Sequence, residues 1–247
     1  MEISSTADQA LQVLLQLART PKQTPSDLAR TLELNRTAVH RSLATLEARG
    51  FVRRLSGESV FVLGAAILEL AQSVEPDIRA AARPVMDELA AECGETVLLF
   101  LAEESPSGPV VTAVEQVHAE SHVLRIRFEL GHSVPMHVGA AGQAILAFET
   151  PEVIAAAMAA ADAPAHLAQQ LDDVRAQGYA MSHDKLLEGV AGIAAPILGD
   201  SRPATASLSI AVPVSRAHLL TGWADRLRVA ASKVAVAAGS TLSHPTH

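Results

Sequence analysis

The chain has 247 residues, enough for two domains at the usual ~100 to 200 residues each. Hydrophobic residues make up 49% of it, yet no apolar run reaches the roughly 18 to 20 residues that cross a bilayer. Cys93 is the only cysteine, which excludes an intrachain disulfide and a thiolate metal cluster, and the net charge of −8 means that any affinity for a polyanion has to be local.

Met1-Glu2-Ile3-Ser4-Ser5 offers neither a basic nor an apolar leader segment, so a cytoplasmic protein is expected. Ala7, Leu11, Leu14, Leu15 and Ala18 mark an amphipathic first helix that begins near Ser5 and stops before Pro21. Thr24-Pro25-Ser26-Asp27 has an N-cap threonine, a proline at the first helical position and a carboxylate at the third, which predicts a short second helix through Thr31. Leu32-Glu33-Leu34 is then a turn. Asn35 can cap a third helix from about Arg36 to Arg49, and Gly50 supplies the residue tolerant of positive φ that ends it. On its wheel Val39, Leu43 and Leu46 share one stripe, whereas Thr37, His40, Arg41, Ala44 and Ala48 fall opposite. Phe51 to Leu55 and Val60 to Leu63 flank Ser56-Gly57-Glu58-Ser59 as two short strands. Three helices and a hairpin make a winged helix.

Other three-helix units give similar periodicity, and the charge decides between them. Eight basic and three acidic residues lie between Arg19 and Arg54, a net charge of +5 on a chain whose total is −8. Such a segment is the electrostatic footprint of a DNA reader. Arg36, Thr37, His40 and Arg41 on the third helix, with Arg53 and Arg54 in the wing, are the candidate contacts to double-stranded DNA.

Gly64 to Pro76 reads as a connecting helix and Asp77 to Glu92 as a second one. Further on, Thr96 to Ala102 and Val110 to Val117 are strand-like. Leu124, Ile126, Phe128 and Leu130 alternate with Arg125, Arg127 and Glu129, which predicts a strand with one buried face. Helices follow over 139–148, 151–160 and 166–177, then strands over 179–182, 192–198 and 205–212 and a last helix over 221–238. The mixture is α+β. In the last strand Ala206, Leu208, Ile210 and Val212 form one face, and Thr205, Ser207, Ser209 and Ala211 the other. Gly139-Ala140-Ala141-Gly142 at a helix start leaves backbone N–H groups for an anion.

Two blocks of the N-terminal part, Thr37-Ala38-Val39-His40-Arg41-Ser42-Leu43-Ala44-Thr45-Leu46 and Gly50-Phe51-Val52 with Phe61-Val62-Leu63-Gly64, resemble the recognition helix, wing and linker of IclR family transcriptional regulators. The run from Gly131-His132-Ser133-Val134-Pro135-Met136 to Ala147-Phe148 resembles that family's effector-domain signature. Arg175-Ala176-Gln177-Gly178-Tyr179, Glu188-Gly189-Val190 and Ala194-Ala195-Pro196-Ile197 follow in order. The resemblance implies a winged helix-turn-helix domain (1–63), a linker helix (64–76) and a GAF-like effector-binding domain (77–247). It implies a sequence-specific regulator with a small-molecule effector, no cofactor and no catalytic step. Because two-fold operators are read by paired recognition helices, a homodimer through the N-terminal domain and the 64–74 helix is expected, with a second pairing through the C-terminal domain giving a tetramer. The resemblance places an effector pocket at Val134, Met136, Ala140, Ala141, Ser182, Val190, Gly192, Ser209 and Ala211.

The family often has an acid where this chain has Ser182, a cysteine or serine where it has Gly192, and a serine where it has Ala211. Either the ligand is larger and less polar than a two- or three-carbon acid, or the site has lost its effector. Glu188 would replace the missing acid only in a different strand register. An architectural DNA-binding protein and a small-molecule enzyme are the alternatives. For the enzyme the candidates are His118, His122, His132, His137 and His183, but no His-Glu-x-x-His, Gly-x-Ser-x-Gly or phosphate loop is present. Cys93 reads as a small buried hydrophobe.

Overall fold

In the computed structural model, which describes residues 4–55, 57–119, 125–162, 164–199 and 204–242, the chain forms two units, Met1–Pro76 and Asp77–His247. The first unit holds helices α1 (Ser5–Arg19), α2 (Pro25–Thr31) and α3 (Arg36–Ala48), strands β1 (Val52–Arg54) and β2 (Phe61–Leu63), and helix α4 (Ala66–Gln72). The helix starts form by the expected chemistry. The Asp27 amide donates to Thr24 Oγ1 at 3.2 Å while the Thr24 amide donates to Asp27 Oδ2, a capping box. Hydrogen bonds from Thr24, aided by Arg30, hold the Asp27 carboxyl below its ordinary range. Asn35 Oδ1 accepts from the Thr37 amide at 2.8 Å, and Gly50 takes φ +74° where α3 turns into the wing.

Val13, Leu17, Leu28, Val39, Leu43, Leu46, Val52 and Phe61 form this unit's core. The stripe of α1 is therefore corrected. Val13 and Leu17 face inward with Ala10 and Leu14 beside them, whereas Ala7, Leu11, Leu15 and Ala18 are exposed. With leucines on both sides of the helix, periodicity did not distinguish the stripe that α3 covers. The connecting helix is also shorter than the 64–76 reading, since α4 spans Ala66–Gln72 and buries none of its residues. Ser56, within the predicted turn, lies outside the described residues.

The second unit opens with α5 (Pro76–Cys93), followed by β3 (Thr96–Ser105), β4 (Gly108–Val117), β5 (Ser133–Pro135), α6 (Gly139–Leu146), α7 (Pro151–Ala160) and α8 (Pro164–Gln177). Strands β6 (Ala180–His183), β7 (Val190–Ile197) and β8 (Ala206–Pro213) precede a 3₁₀ segment (Val214–Trp223) and α9 (Ala224–Leu242). The six strands lie in the order β5-β4-β3-β8-β7-β6, with every neighbouring pair antiparallel. Side chains alternate across a sheet, and here both faces are covered. Leu208, Ile210 and Val212 pack with Met86 and Leu89 of α5 and Leu227 and Val234 of α9. Leu98, Phe100 and Ala211 pack on the other face with Ala144 and Ile145 of α6 and Leu167 and Leu171 of α8. The expected two-faced pattern of β8 holds, and all eight of its residues are buried. Glu95, just before β3, receives two hydrogen bonds from Arg216, at 2.6 and 2.8 Å, which tie the 3₁₀ segment to the start of that strand.

The predicted strand over 124–130 is a correction. Leu124 lies outside the described residues, and residues 125–129 belong to no strand or helix. Side chains replace the ladder. Gln116 Nε2 donates to the Phe128 carbonyl while the Phe128 amide donates to Gln116 Oε1, and Thr96 Oγ1 donates to the Ile126 carbonyl. The alternation nevertheless marks burial, for Ile126 and Phe128 pack against the core beside α6. Leu130 is exposed. Strand β5 was not foreseen, and the expected last helix over 221–238 is a 3₁₀ stretch as far as Trp223 and then α9.

Candidate DNA-reading face and effector cavity

Helix α3 is anchored by Val39, Ser42, Leu43 and Leu46, which are buried, and this leaves Arg36, Thr37, His40, Arg41, Ala44 and Ala48 exposed together. A capped helix with a small, polar and cationic outer face can enter a major groove, because alanines permit close approach while Thr, His and Arg carry donors for base edges. In the wing Arg53 pairs across from Val62 and Arg54 from Phe61. Successive strand residues point to opposite faces, so the two arginines do different things. The Arg54 guanidinium lies over the Phe61 ring, 5.0 Å from its centroid, and Arg53 projects from the opposite face.

In the second unit, Ala140, Ala141, Ser182, Val190, Gly192, Ser209 and Ala211 line one cavity. The β6–β7–β8 register brings the strand residues there, with Ser182 opposite Gly192 and Gly192 opposite Ala211, and the start of α6 adds Ala140 and Ala141. This cavity has a volume of about 20 Å³, room for little more than one water molecule. Two of the nine expected residues lie elsewhere. Val134 lines an adjoining chamber of about 340 Å³. Met136 is buried beneath a third hollow of about 420 Å³, whose walls include Glu103, Glu104, Glu149 and Glu152. Burial, with Glu104 nearby, raises the Glu149 pKa. Four carboxyl groups make that hollow a poor receptor for an acid.

The helix-end amides are only partly available. The Ala140 N–H donates to Ser182 Oγ at 3.0 Å, so the residue that stands where the family often has an acid already satisfies that amide. Ser209 Oγ would lie 4.0 Å from a side-chain carbon added at Gly192, and Ser182 Oγ 3.9 Å, so both hydroxyls face the same small space. Glu188 does not substitute for the missing acid. The β6–β7 register is regular, and Glu188 stays exposed in the loop between these strands.

Four lining residues carried no sequence signal for a cavity. Phe100, Phe128, Leu186 and Leu187 border both the small cavity and the 340 Å³ chamber. The two rings meet edge to face with centroids 6.1 Å apart. Leu186 closes over the start of α6, where a side-chain carbon at Gly139 would lie 2.8 Å from Leu186 Cγ. Only the apolar half of the 124–130 alternation hinted at Phe128.

The remaining reactive groups are placed for structure. Burial pushes the Cys93 thiol up to about 11, far from a reactive thiolate. His118 Nδ1 lies 3.2 Å from Thr96 Oγ1, and burial, with Arg127 and Arg125 nearby, lowers its pKa. His122 lies outside the described residues. Among the described residues no group of His, Cys, Asp and Glu is arranged to hold a metal ion, and no helix is long and apolar enough to cross a membrane.

A winged helix-turn-helix unit together with an α+β unit built on a six-stranded antiparallel sheet defines a one-component class of transcription regulator. Residues 70–236 match the family model "Bacterial transcriptional regulator IclR C-terminal", and residues 6–59 match the MarR family. The chain belongs to the IclR family of transcriptional regulators. It is 31% identical over 203 residues to the HTH-type transcriptional regulator KipR of Bacillus subtilis, covering 77% of this chain and 79% of the relative. It is 27% identical over 208 residues to the transcriptional repressor IclR of Escherichia coli, covering 77% and 73%. An IclR regulator from Alicyclobacillus acidocaldarius shares the fold with a TM-score of 0.81 at 23% identity, covering 96% of this chain and 100% of that one. So does an IclR homologue from Microbacterium hydrocarbonoxydans complexed with 4-hydroxybenzoate, with a TM-score of 0.80 at 23% identity, covering 96% and 100%.

Proposed function

We propose that this regulator reads operator DNA with Arg36, Thr37, His40 and Arg41 of α3 and Arg53 and Arg54 of the wing, and that an organic acid bound in the second unit modulates that binding. The observation that carries the reading is the meeting of seven of the nine expected pocket residues around one cavity beside the α6 N-terminus. The lining favours a carboxylate on an apolar body over a two- or three-carbon acid. Each buried methylene contributes about 0.8 kcal/mol, whereas among the described residues the small cavity offers the hydroxyls of Ser182 and Ser209, and the Ala140 amide beside it is already bonded to Ser182. The binding of 4-hydroxybenzoate by a homologue of the same fold supports an aromatic acid. A thermal-shift screen of aliphatic and aromatic acids on the full chain tests the reading. Gly192→Leu should fill the space in front of Ser182 and Ser209 and weaken the response to the acid that the screen finds, with operator affinity unchanged. Calorimetry that shows the wild-type affinity in that variant would reject the cavity.

The same reading includes a homodimer built through the first unit. Leu11 and Leu15 of α1 are 59% and 58% exposed, and Leu68 and Leu70 of α4 are 67% and 55% exposed, an unusual amount of large apolar surface for a small unit. Two-fold operators are read by paired recognition helices. A tetramer would need a further surface, for which Val229 and Val236 of α9, 50% and 71% exposed, are available. Light scattering at micromolar concentration is expected to give a dimer or a multiple of it, and Leu68→Glu to shift it toward monomer. A wild-type monomer with and without DNA would sink this part.

A further inference from the structure

We infer that the effector site is a two-part site whose larger part is the 340 Å³ chamber, and that Arg127 at its wall binds the carboxylate of an aromatic monocarboxylate. This rests on the effector-sensing reading above and deepens it. The volumes decide where the body of a ligand goes. Small-molecule sites usually measure ~300 to 1,000 Å³, so the chamber of about 340 Å³ qualifies and the cavity of about 20 Å³ does not. Phe100, Phe128, Leu186 and Leu187 border both spaces. These four residues are a shared apolar wall, and three of them sit on segments held by side-chain hydrogen bonds. Gln116 clamps the Phe128 backbone from two sides, and Leu186 and Leu187 belong to the loop between β6 and β7, where Gly189 N–H donates to Asp184 Oδ1 at 2.6 Å. Rotation of the Leu186 and Leu187 side chains would join the spaces around a flat ring.

Charge sets the polarity of the ligand. Among the described residues no charged side chain lines the small cavity, whereas the chamber has Arg127, Glu129 and His132 on its wall. A guanidinium matches a carboxylate with two parallel donors. Glu129 on the same wall repels a second carboxylate, so a monoanion is accepted and a dianion disfavoured. The far end of the ring then faces Ser182 and Ser209 across the shared wall. Val134, which stood apart from the other expected pocket residues, belongs to this chamber.

Calorimetry on the full chain with 4-hydroxybenzoate, benzoate, benzamide, terephthalate and glyoxylate tests the assignment. The two monocarboxylates are expected to bind, with terephthalate and glyoxylate at least tenfold weaker. Arg127 is exposed, so Arg127→Gln should fold normally. It should lower affinity for both monocarboxylates by about ten- to a hundredfold, the usual range for a hydrogen bond to a charged group, and leave benzamide unaffected. Glu129→Gln should bring terephthalate closer to benzoate. Gly192→Leu should weaken 4-hydroxybenzoate, whose hydroxyl reaches the inner space, more than benzoate. If Arg127→Gln binds the monocarboxylates as the wild type does while Gly192→Leu abolishes binding, the ligand lies in the inner cavity alone: the chamber assignment is overturned and effector sensing stands. If the wild type binds glyoxylate or terephthalate in preference, the chamber assignment also falls. If no acid binds the wild type or releases it from DNA, effector sensing falls with it.

Discussion

Gly142→Ala is expected to cost the second unit about 3 kcal/mol or more, because a β-carbon there would lie 2.1 Å from the Met136 carbonyl oxygen and 2.8 Å from its carbon. Those are backbone atoms and cannot rotate aside. Helix α6 approaches the turn after β5 so closely that only hydrogen fits, and its eight residues are all buried against the sheet and α8. Relief would require moving the helix, with the loss of packing around Ala144, Ile145 and Leu146. Urea denaturation of the full chain, followed by a probe in the second unit, measures the cost. The control is Gly239→Ala in α9, where a β-carbon meets nothing within 4 Å. Alanine there replaces a helix-interior glycine and is expected to be neutral or to stabilise by about 0.5 to 1 kcal/mol. A Gly142→Ala protein within 0.5 kcal/mol of the wild type would show that α6 does not approach the Met136 backbone so closely.

The second large effect concerns operator binding. A good bidentate contact to guanine discriminates by about 1 to 3 kcal/mol, so Arg41→Ala should weaken binding to a duplex selected by the wild-type protein by roughly ten- to a hundredfold. Competition with non-specific DNA should show that specificity falls with it. Arg53→Ala should act differently, lowering affinity for all sequences and reducing the salt slope by about 0.9 for one lost phosphate contact. Arg54→Ala is expected to do this and also to destabilise the wing, since the Arg54 side chain covers the Phe61 ring. Titrations at several salt concentrations separate the three. If Arg41→Ala protects the same site at unchanged affinity and selectivity, the exposed face of α3 is not the reading face.

Much of the first unit was legible because its signals are local. A threonine followed three residues later by an aspartate makes a capping box between neighbours in the chain, and Asn35 and Gly50 bracket α3 in the same way. The error in α1 has the opposite cause. Leu11 and Leu15 are as apolar as Leu14 and Leu17, and the choice between the two stripes is made by α3, which the α1 sequence does not contain. Likewise the alternation over 125–130 reported burial correctly and pairing wrongly. Burial follows from side-chain polarity, whereas a strand also needs a partner backbone, and here Gln116 supplies side-chain hydrogen bonds instead.

The pocket divides along the same line. Family resemblance placed nine residues from separate segments, and the β6–β7–β8 register brings five of them to one cavity, where α6 adds Ala140 and Ala141. What neither motif nor spacing contained was the size of that cavity, the engagement of the Ala140 amide by Ser182, or the wall of Phe100, Phe128, Leu186 and Leu187 shared by two spaces. The sequence by itself determined the helix boundaries near their caps, the outward basic face of α3, the two-faced burial of β8 and the family. Those follow from interactions between residues close in the chain or from the preference of each side chain for water or core. Only the tertiary structure decided which α1 stripe is covered, where Met136 and Val134 lie and how much room a ligand has. Volume and contact are set jointly by segments far apart in sequence, and no single segment carries that information.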